Sequence, residues 1–363
     1  MGEACGRGVS DFDVVVVGGG PAGAASALKC AELGLRVLLM ERGGRSGSKP
    51  CGGILTPACV DLLEESLGVD LPQRVMCRPE HLALYYVPPS GRRNGGEVRG
   101  YRLYNIKRGL FDEWLRELAA EAGAEVWMET EFLGLQQSKP LRFRAGREGQ
   151  TIRATSRYMV GADGVYSSVR RHIHDHGGLG VARIRQEYWR AEGEFEDCFY
   201  VFFRGDVSPT YSYVIPKDGL YVIGTGVPVA HAASLGECMG RFKDWLRDEF
   251  ALTLLSLSRK EAWAIPYGFT LNGAEDVVLV GDAAGFCNPL SGEGIRFAVE
   301  SGVAAGEAAH QATLHDKPIA PVYIELVQEI SGLMRRLYDF AVGLTDEGRE
   351  EFVRSELARI PFP

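Results

Sequence analysis

Continuous apolar runs next to glycine turns occur near both ends of the chain. Residues 12–40, FDVVVVGGGPAGAASALKCAELGLRVLLM, predict a buried strand, a glycine turn, an apolar helix and a second strand. Apolar runs of this kind are typical of parallel strands that are covered on both faces, so the segment predicts a βαβ unit. The segment VVLVGDAAGF at 277–286 repeats the strand and glycine turn, and a long helix rich in small residues is expected over 293–314.

Polar and apolar positions alternate with period two in the middle of the chain. Residues 82–104 alternate around a Pro/Gly/Asn turn and predict a hairpin, and residues 140–160 predict another antiparallel pair. Aromatic-rich segments between residues 185 and 228 predict a sheet with a wide aromatic face. Their sequences are QEYWRAEGEFE, CFYVFFRG, TYSYVIPK and GLYVIGTGV.

Helices and one more strand complete the predicted elements. Apolar residues recur at helical spacing in PACVDLLEESLG at 57–68 and in RGLFDEWLRELAAEAGA at 108–124. Residues 241–255, RFKDWLRDEFALTLL, predict a further helix, and the tail after residue 320 predicts helices with a charged face. Residues 124–136, AEVWMETEFLGLQ, predict a single strand.

Composition places the chain among globular proteins and against nucleic-acid binding. Its 363 residues predict about two to three domains, and 45% hydrophobic with 24% charged residues are ordinary values. The formal net charge is −8 without a basic block, so recognition of nucleic-acid phosphates is not expected. Because neither a signal peptide nor an apolar run of spanning length is evident, we expect a cytoplasmic protein.

The cysteines and histidines do not predict a metal site or a disulfide framework. The eight cysteines form no CxxC pair and no even ladder, which agrees with a reducing compartment. His172, His174 and His176 alternate, but they lack a carboxylate companion at a metal-ligand spacing. We therefore expect no bound metal.

The first glycine turn has the G-x-G-x-x-G spacing of a dinucleotide site. Gly18, Gly20 and Gly23 lie between the predicted strand and helix, where side chains would block the approach of a pyrophosphate to helix amides. Glu41 closes the second strand, where a carboxylate can bind an adenosine ribose. An acidic residue there repels a 2′-phosphate, so FAD or NAD is favoured over NADP.

The second glycine turn decides between these two cofactors. Asp282 follows a strand and precedes glycines and a helix start, where its carboxylate can accept a hydrogen bond from a ribityl hydroxyl. An NAD dehydrogenase would not need this second turn. The pair of turns therefore favours FAD.

Three motifs resemble those of one group of flavoproteins. GGGPAG at 18–23, GADGVYSSVR at 161–170 and GDAAGFCNPLSGEGI at 281–295 resemble the FAD-dependent group of para-hydroxybenzoate hydroxylase-like monooxygenases and geranylgeranyl reductases, in the same order over nearly the whole chain. Together with the reasoning above, this resemblance implies a set of FAD-binding residues. The set is Gly18, Gly20, Pro21, Ala22, Gly23, Glu41, Arg42, Cys51, Gly52, Gly53, Arg108, Asp163, Gly164, Gly281, Asp282, Pro289, Gly292, Gly294 and Ile295.

Within this group, two segments resemble the geranylgeranyl reductases. KPCGGIL at 49–55 resembles their PCGG segment, which runs close to the flavin, and YSYVIPK at 211–217 resembles their Y-x-W-x-F-P substrate motif. Tyr213 stands where the motif has Trp and Ile215 where it has Phe, and Ile-Pro instead fits the W-x-W-x-I-P of flavin halogenases.

The candidate catalytic residues are Cys51, Tyr211 and Tyr213. Tyr211 and Tyr213 share one face of a strand, which offers either a broad apolar substrate wall or ordinary sheet core. Cys51 lies before Gly52 and Gly53, whose lack of side chains permits close approach to a planar ring. It is either a functional thiol or a small packing residue.

The expected fold class is α/β, with a Rossmann-type FAD-binding domain, an inserted antiparallel β-sheet substrate domain and a short C-terminal helical segment. The predicted boundaries are 10–75, 105–182 and 265–315 for the FAD-binding domain, 76–104 and 183–264 for the substrate domain, and 316–363 for the helical segment.

Three functions follow as hypotheses. The first is an FAD-dependent oxidoreductase that transfers a hydride to a carbon–carbon double bond of an apolar, isoprenoid-type substrate. The second is a flavin monooxygenase or halogenase that acts on an aromatic compound. The third is an FAD-holding electron-transfer or interaction protein without turnover. Because no separate Rossmann turn for NAD(P)H is evident, transiently bound NAD(P)H or a protein electron donor would reduce the flavin, and a peripheral membrane contact would give access to a lipid substrate.

Overall fold

Two sheets form the framework of the protein. The computed structural model describes residues 11–44, 49–174, 180–193, 195–231 and 234–359. The first sheet contains β1 (Phe12–Val17), β2 (Val37–Met40), β6 (Glu125–Trp127), β7 (Thr130–Ser138), β8 (Leu141–Arg147), β9 (Gln150–Gly161), β15 (Gly273–Ala274) and β16 (Val277–Leu279). The second contains β3 (Ile54–Leu55), β4 (Met76–Val87), β5 (Gly96–Ile106), β10 (Val181–Glu192), β11 (Cys198–Phe202), β12 (Ser212–Lys217), β13 (Leu220–Pro228) and β14 (Thr253–Pro266).

The first sheet is parallel at its centre. Its strands lie in the order β16-β9-β1-β2-β6, all parallel, and the antiparallel hairpin β7–β8 extends β9. Buried valine and leucine runs in β1 and β2 form these strands because both faces of the sheet are covered. The carboxyl ends of parallel strands meet at one edge, and the predicted glycine turns and Glu41 follow these ends.

Helices cover both sheets. They are α1 (Pro21–Glu32), α2 (Pro57–Leu67), α3 (Arg108–Glu121), α4 (Ser168–Ile173), α5 (Leu235–Phe250), α6 (Ile295–Leu314), α7 (Ile319–Leu326), α8 (Gln328–Gly343) and α9 (Asp346–Ala358). Helices α1 and α6 pack closely because a Cβ on Gly302 would lie 2.3 Å from the Ala22 carbonyl oxygen. Among the described residues, no helix has the length and apolar character needed to cross a bilayer.

The second sheet is almost entirely antiparallel, in the order β14-β10-β13-β12-β11-β4-β5-β3, with β11 and β4 parallel. Helix α5 covers one of its faces, where Phe242, Trp245 and Phe250 surround Phe202 at ring-centroid distances of 5.1, 5.3 and 5.4 Å. The opposite face is directed toward the first sheet.

Two of the predicted elements are wrong in their extent. The helix expected over 241–255 begins earlier and ends at Phe250, because Ala251 adopts a left-handed conformation with φ of 49° and β14 then pairs with β10. The single strand expected over 124–136 is two strands, β6 and β7, which separate at Glu129 with φ of 52°.

The predicted domain boundaries also differ from the sheets. β3 lies inside the segment assigned to the FAD-binding domain, yet it pairs with β5 of the second sheet. β10 and β14 each extend beyond the predicted limits of the substrate domain, and α9 of the C-terminal segment packs on β4 and β5. The pairing of β3 with β5 could not be predicted locally, because a two-residue strand is too short to show an alternation of polar and apolar residues.

Candidate active site

A cavity of about 1250 Å³ is lined by residues of both sheets. All the predicted site residues line it except Gly23 and Gly281. Those that do are Gly18, Gly20, Pro21, Ala22, Glu41, Arg42, Cys51, Gly52, Gly53, Arg108, Asp163, Gly164, Tyr211, Tyr213, Asp282, Pro289, Gly292, Gly294 and Ile295. The fold therefore brings residues from distant parts of the chain to one cavity.

Gly23 and Gly281 do not line the cavity and are packed against neighbouring backbone and side chains. A Cβ on Gly23 would lie 1.8 Å from the Gly18 carbonyl oxygen, and one on Gly281 would lie 2.9 Å from the Ala22 Cβ. Both glycines permit close packing of the strand, the turn and the helices. They shape the site without lining it.

The first glycine turn leaves the amino terminus of α1 open to the cavity. Gly18 has φ of 105°, and a Cβ there would lie 2.4 Å from the Ala162 carbonyl oxygen, so a side chain cannot be placed. Gly20, the N-cap of α1, provides no side-chain cap, and nothing lies within 4 Å of its ideal Cβ position. The first amides of a 12-residue helix therefore face the cavity with the positive end of the helix dipole, as a pyrophosphate requires.

Asp163 adds an unsatisfied acceptor to the same end of the cavity. Its Oδ2 accepts hydrogen bonds from the Ser168 amide at 2.6 Å and the Val169 amide at 3.1 Å, which fixes the start of α4. Its Oδ1 is buried and has no hydrogen-bond partner among the residues that the structure describes. The orphaned carboxylate oxygen can accept from a hydroxyl group of FAD, and the open helix terminus can donate to its phosphates.

Glu41 is held by the turn that it faces. Its Oε2 accepts from the Gly19 amide at 2.6 Å, and its Oε1 accepts from the Gly43 amide at 2.7 Å. Arg116, which no sequence motif indicated, donates to the Gly19 carbonyl oxygen at 2.9 Å. Each carboxylate oxygen has a further lone pair, so Glu41 can also accept from a ribose hydroxyl.

Arg108 and Asp112 form a buried ion pair beside Cys51. Arg108 Nε lies 2.6 Å from Asp112 Oδ1, one helical turn further along α3. Burial lowers the pKa of Arg108, but the Asp112 carboxylate and the nearby Cys51 sulfur hold this pKa above its usual range. Arg108 is therefore a buried cation close to Cys51.

Asp282 is paired with a lysine that the motifs did not single out. Lys49, which directly precedes the Pro50-Cys51 segment, forms an ion pair with Asp282 Oδ2. The contact joins the loop of residues 49–53 to the second glycine turn, so both sides of the cavity are connected at its polar end.

One face of the second sheet forms the apolar wall of the cavity. Strand pairing places Tyr213 opposite Val201 on β11 and opposite Gly224 on β13. The Tyr213 ring lies across Gly224, since a Cβ at that glycine would lie 2.0 Å from Tyr213 Cζ. Residues that share this face are Leu84, Tyr86, Ile184, Phe199, Val201, Phe203, Tyr211, Tyr213, Ile215 and Trp263, and all line the cavity.

Gln186 is a polar residue within this apolar face. Its Oε1 accepts from the Tyr213 hydroxyl at 2.9 Å, and its Nε2 donates to Glu261 Oε2 at 2.7 Å and lies 3.3 Å from the Cys51 carbonyl oxygen. Because Nε2 faces a carboxylate, the amide orientation is fixed and the Tyr213 hydroxyl must donate to Oε1. The sequence signal was a polar side chain at an inward position of β10, next to Ile184 and Tyr188.

The loop of residues 288–294 and the helix α9 close the cavity on the aromatic side. The Tyr211 hydroxyl donates to the Ser291 carbonyl oxygen at 2.5 Å, and burial raises the pKa of Tyr211. Phe352 of α9 lines the cavity and lies 5.9 Å from Tyr86 and 5.5 Å from Phe203 between ring centroids. No motif had indicated a role for Phe352.

The described residues contain no group of three or more His, Cys, Asp or Glu side chains that could hold a metal ion. His172 lines the cavity, but burial lowers its pKa. His176, which the sequence analysis considered with it, and Cys5 lie outside the described residues.

Comparison with known proteins agrees with this geometry. A family model for an FAD binding domain matches residues 11–186. Protein CbrA of Escherichia coli (strain K12) is 30% identical over 298 residues, 80% of this chain and 82% of the relative. A geranylgeranyl diphosphate reductase of Rhodobacter capsulatus is 32% identical over 318 residues, 85% of this chain and 77% of the relative.

Solved structures share the fold. A geranylgeranyl bacteriochlorophyll reductase-like protein of Thermoplasma acidophilum superposes with a TM-score of 0.82 at 20% identity, covering 96% of this chain and 92% of that chain. The flavin-dependent halogenase CmlS superposes with a TM-score of 0.69 at 20% identity, covering 93% of this chain and 66% of that chain. The α/β architecture with a Rossmann-type domain and an antiparallel second sheet is therefore confirmed.

Proposed function

This chain belongs to the geranylgeranyl reductase family of FAD-dependent oxidoreductases, and from that membership we propose that it reduces carbon–carbon double bonds of an apolar, isoprenoid-type substrate. The observation that carries the proposal is the sheet face described above. Its aliphatic and aromatic side chains continue the cavity away from the open terminus of α1, so an apolar chain can lie next to the cofactor site.

The polar end of the cavity would hold FAD. The α1 amides would bind the pyrophosphate, Glu41 the adenosine ribose, and Asp282 and Asp163 hydroxyl groups, while residues 51–53 and 289–295 would enclose the ring. When bound, FAD supplies the hydride for the double bond. The protein contributes orientation, exclusion of water and a proton.

Reduction of a double bond needs a proton at the carbon that does not receive the hydride, and we assign its delivery to Cys51. The Cys51 sulfur lies at the cavity wall, where it accepts from the Gly53 amide at 3.3 Å and is close enough to the Arg108 guanidinium to raise the pKa of that arginine. Both donors would stabilise the negative charge that remains on the sulfur after the proton leaves. Solvent would then return a proton to the thiolate.

Anaerobic reoxidation tests the proposal. The purified protein is loaded with FAD, reduced with dithionite without oxygen, and mixed with a polyprenyl diphosphate, a polyprenyl alcohol or an aromatic acid. A polyprenyl compound should restore the oxidised flavin spectrum and gain two hydrogens per oxidised flavin, as mass spectrometry would detect. Failure of every polyprenyl compound to reoxidise the flavin would contradict the proposal.

A flavin monooxygenase or halogenase that acts on an aromatic compound is the second candidate. Ile215 and Pro216 match the halogenase form of the substrate motif, and the fold superposes on a halogenase. In this case an aromatic substrate would be modified only when oxygen is consumed. An oxygen electrode combined with product analysis separates this reaction from the anaerobic one.

For the source of electrons we propose transiently bound NAD(P)H or a protein donor. Bleaching of the oxidised flavin by NADH or NADPH alone would identify the nucleotide, and bleaching only by dithionite or a reduced redox protein would favour the second. Because an isoprenoid substrate partitions into lipid, we also propose a peripheral membrane contact, which cosedimentation with phospholipid vesicles would test.

A further inference from the structure

A buried lysine lies directly behind the cavity wall. Lys217, the last residue of β12, exposes 9% of its surface, and it does not line the cavity. Its Nζ lies 2.8 Å from the Ile106 carbonyl oxygen, 3.4 Å from the Gly53 carbonyl oxygen and 3.6 Å from Cys77 Sγ. The side chain thus reaches from the second sheet to the back of the loop of residues 49–53.

These three contacts fit an ammonium group. A protonated lysine has three N–H donors and no acceptor, and its neighbours here are three acceptors. The adjacent Asp218 carboxylate accepts instead from the Arg78 amide at 2.8 Å. Burial lowers the pKa of Lys217, and burial also raises the pKa of the Cys77 thiol. A buried Lys217 ammonium without a bonded carboxylate is unfavourable in free energy. A negative charge placed nearby would reduce this unfavourable term.

The backbone of Gly52 and Gly53 lies between the Lys217 ammonium and the cavity. Gly53 has φ of 68°, and a Cβ there would lie 2.8 Å from Lys217 Nζ. Gly53 and Gly52 line the cavity at the position proposed for the flavin ring. The absence of side chains on both glycines keeps the ammonium close to whatever occupies that position.

We propose that Lys217 is a positioning and charge-tuning residue, whose ammonium behind Gly52 and Gly53 stabilises reduced FAD relative to oxidised FAD. The inference rests on the proposed location of the ring beside this loop. Reduction adds electron density to the ring, and a cation a few ångströms away in a water-poor environment interacts strongly with that charge. Charge near the flavin ring is one of the means by which proteins set its electronic properties.

The test measures the midpoint potential of bound FAD in the absence of substrate. Lys217→Met removes the charge with little change in volume, and we expect the ratio of reduced-form to oxidised-form affinity to fall about tenfold, a potential lower by about 30 mV for this two-electron couple. Lys217→Arg retains the charge and should restore most of the wild-type potential. A purely structural role would instead reduce thermal stability and leave the potential unchanged.

Lys243→Met is the matched control. Lys243 is also a partly buried lysine beside the second sheet, but it lies on α5 and pairs with Glu187 at 3.1 Å. Its removal should not change the midpoint potential. A shift equal to that of Lys217→Met would show a general effect of net charge and would overturn the proposal.

Two further results decide the remaining cases. If Lys217→Met binds FAD fully with the wild-type potential, the proposal is wrong. If that variant does not fold, Cys77→Asp is measured instead, because it places a carboxylate beside the intact Lys217 ammonium. Cys77→Asp should lower the midpoint potential by the same amount. An unchanged potential in Cys77→Asp would overturn the proposal. Because no substrate is present, these outcomes are independent of the anaerobic test: a polyprenyl compound that fails to react contradicts the proposed function and leaves the potential shift intact.

Discussion

Single side chains divide the cavity into a polar end and an apolar end. Glu41, Asp163 and Asp282 lie at the polar end with the open amides of α1, whereas Tyr211 and Tyr213 belong to the aromatic wall. In the proposed reaction, FAD would occupy the polar end and the double bond the apolar end, where exclusion of water would protect the reactive hydride from side reactions. Cys51 and Arg108 line the same cavity.

Replacement of Glu41 tests the polar end. A hydrogen bond to a charged group contributes about 1.5–3 kcal/mol, so Glu41→Ala should weaken FAD binding roughly ten- to a hundredfold. The loss also removes the acceptor for the Gly19 amide, which holds the glycine turn. Flavin fluorescence titration of the apoprotein measures the dissociation constant.

The control is Glu125→Ala, because Glu125 is an exposed carboxylate on the neighbouring strand β6 that accepts from Trp127 Nε1 at 2.7 Å and does not line the cavity. Its removal should leave the dissociation constant unchanged. Equal FAD affinity in Glu41→Ala and the wild type would mean that the adenosine ribose binds elsewhere.

Replacement of Cys51 separates its two possible roles. If Cys51 delivers the proton, Cys51→Ser should slow substrate-linked reoxidation of reduced flavin by tenfold or more, about 1.4 kcal/mol in the barrier, with FAD affinity unchanged. If the sulfur only packs against the ring, Cys51→Ala should change the flavin absorbance slightly and leave the rate intact. Stopped-flow absorbance under anaerobic conditions measures both quantities.

Cys198→Ala is the control for this experiment, since Cys198 is buried in β11 and does not line the cavity. Its reoxidation rate should equal that of the wild type. Wild-type rates in both Cys51 variants would leave only the packing role.

The residues that the sequence identified are those fixed by local geometry. Gly18 and Gly20 follow from a turn that excludes side chains, and Glu41 from the end of a strand, so short motifs were sufficient. Gln186 and Lys217 were missed because their partners lie far away along the chain, at Cys51 and Gly53 respectively. A single sequence does not display such contacts.

At the scale of elements, helix α9 contributes to the cavity wall, which its highly charged sequence does not indicate. Arg349 is buried at 6% exposure and donates to the Pro209 carbonyl oxygen at 2.6 Å, which attaches α9 to the segment before β12. This anchor places Phe352 against the aromatic wall. The C-terminal segment was predicted as helical, but its contribution to the cavity depends on docking, for which the sequence has no local signal.

Truncation of Phe352 tests this contribution. Phe352→Ala should remove apolar contact worth about 1–2 kcal/mol of substrate binding, so KM for the apolar substrate should rise roughly tenfold with FAD content unchanged. Steady-state kinetics with the substrate identified in the anaerobic assay provide the measurement. Phe195→Ala is the control, because Phe195 packs against Phe250 of α5 at a ring-centroid distance of 5.2 Å and does not line the cavity. Equal KM values in both variants would exclude Phe352 from the substrate wall.

The ends of helices and strands were predicted well where the spacing of apolar residues stayed constant, and poorly where that spacing changed. β1 and α1 have a buried run and a small-residue helix on either side of a glycine turn, and both were predicted. The helix over 241–255 was extended too far because its last residues are apolar, and apolar spacing alone does not distinguish a helix end from the start of β14. The helix ends where Ala251 adopts a left-handed conformation. Glycine usually occupies such a position, so an alanine there does not indicate a helix end in the sequence.

At the scale of the whole molecule, the polar end of the cavity depends on segments that are distant in sequence. The glycine turn after β1, the loop of residues 49–53, the start of α4 and the second glycine turn all contribute, and the Lys49–Asp282 ion pair joins two of them. The principal core lies mainly around the first sheet, and two smaller clusters belong to the second sheet. A ligand that bridges these segments binds only the folded arrangement.

FAD should therefore stabilise the protein by an amount that grows with the logarithm of its free concentration above Kd. A ligand that binds the native state alone adds about 2.7 kcal/mol of stability at a free concentration of 100 Kd, which predicts a rise in Tm of roughly 3–4 °C for a chain of this size. Differential scanning calorimetry of the apoprotein with increasing FAD measures the shift.

Glu41→Ala should follow the same curve displaced to higher FAD concentration, because it weakens binding without removing the segments that FAD bridges. Riboflavin, which lacks the pyrophosphate and the adenosine, should produce a much smaller shift, since it cannot contact the α1 amides or Glu41. A Tm that does not depend on FAD, or that rises equally with riboflavin, would contradict the assignment of these segments to one FAD site.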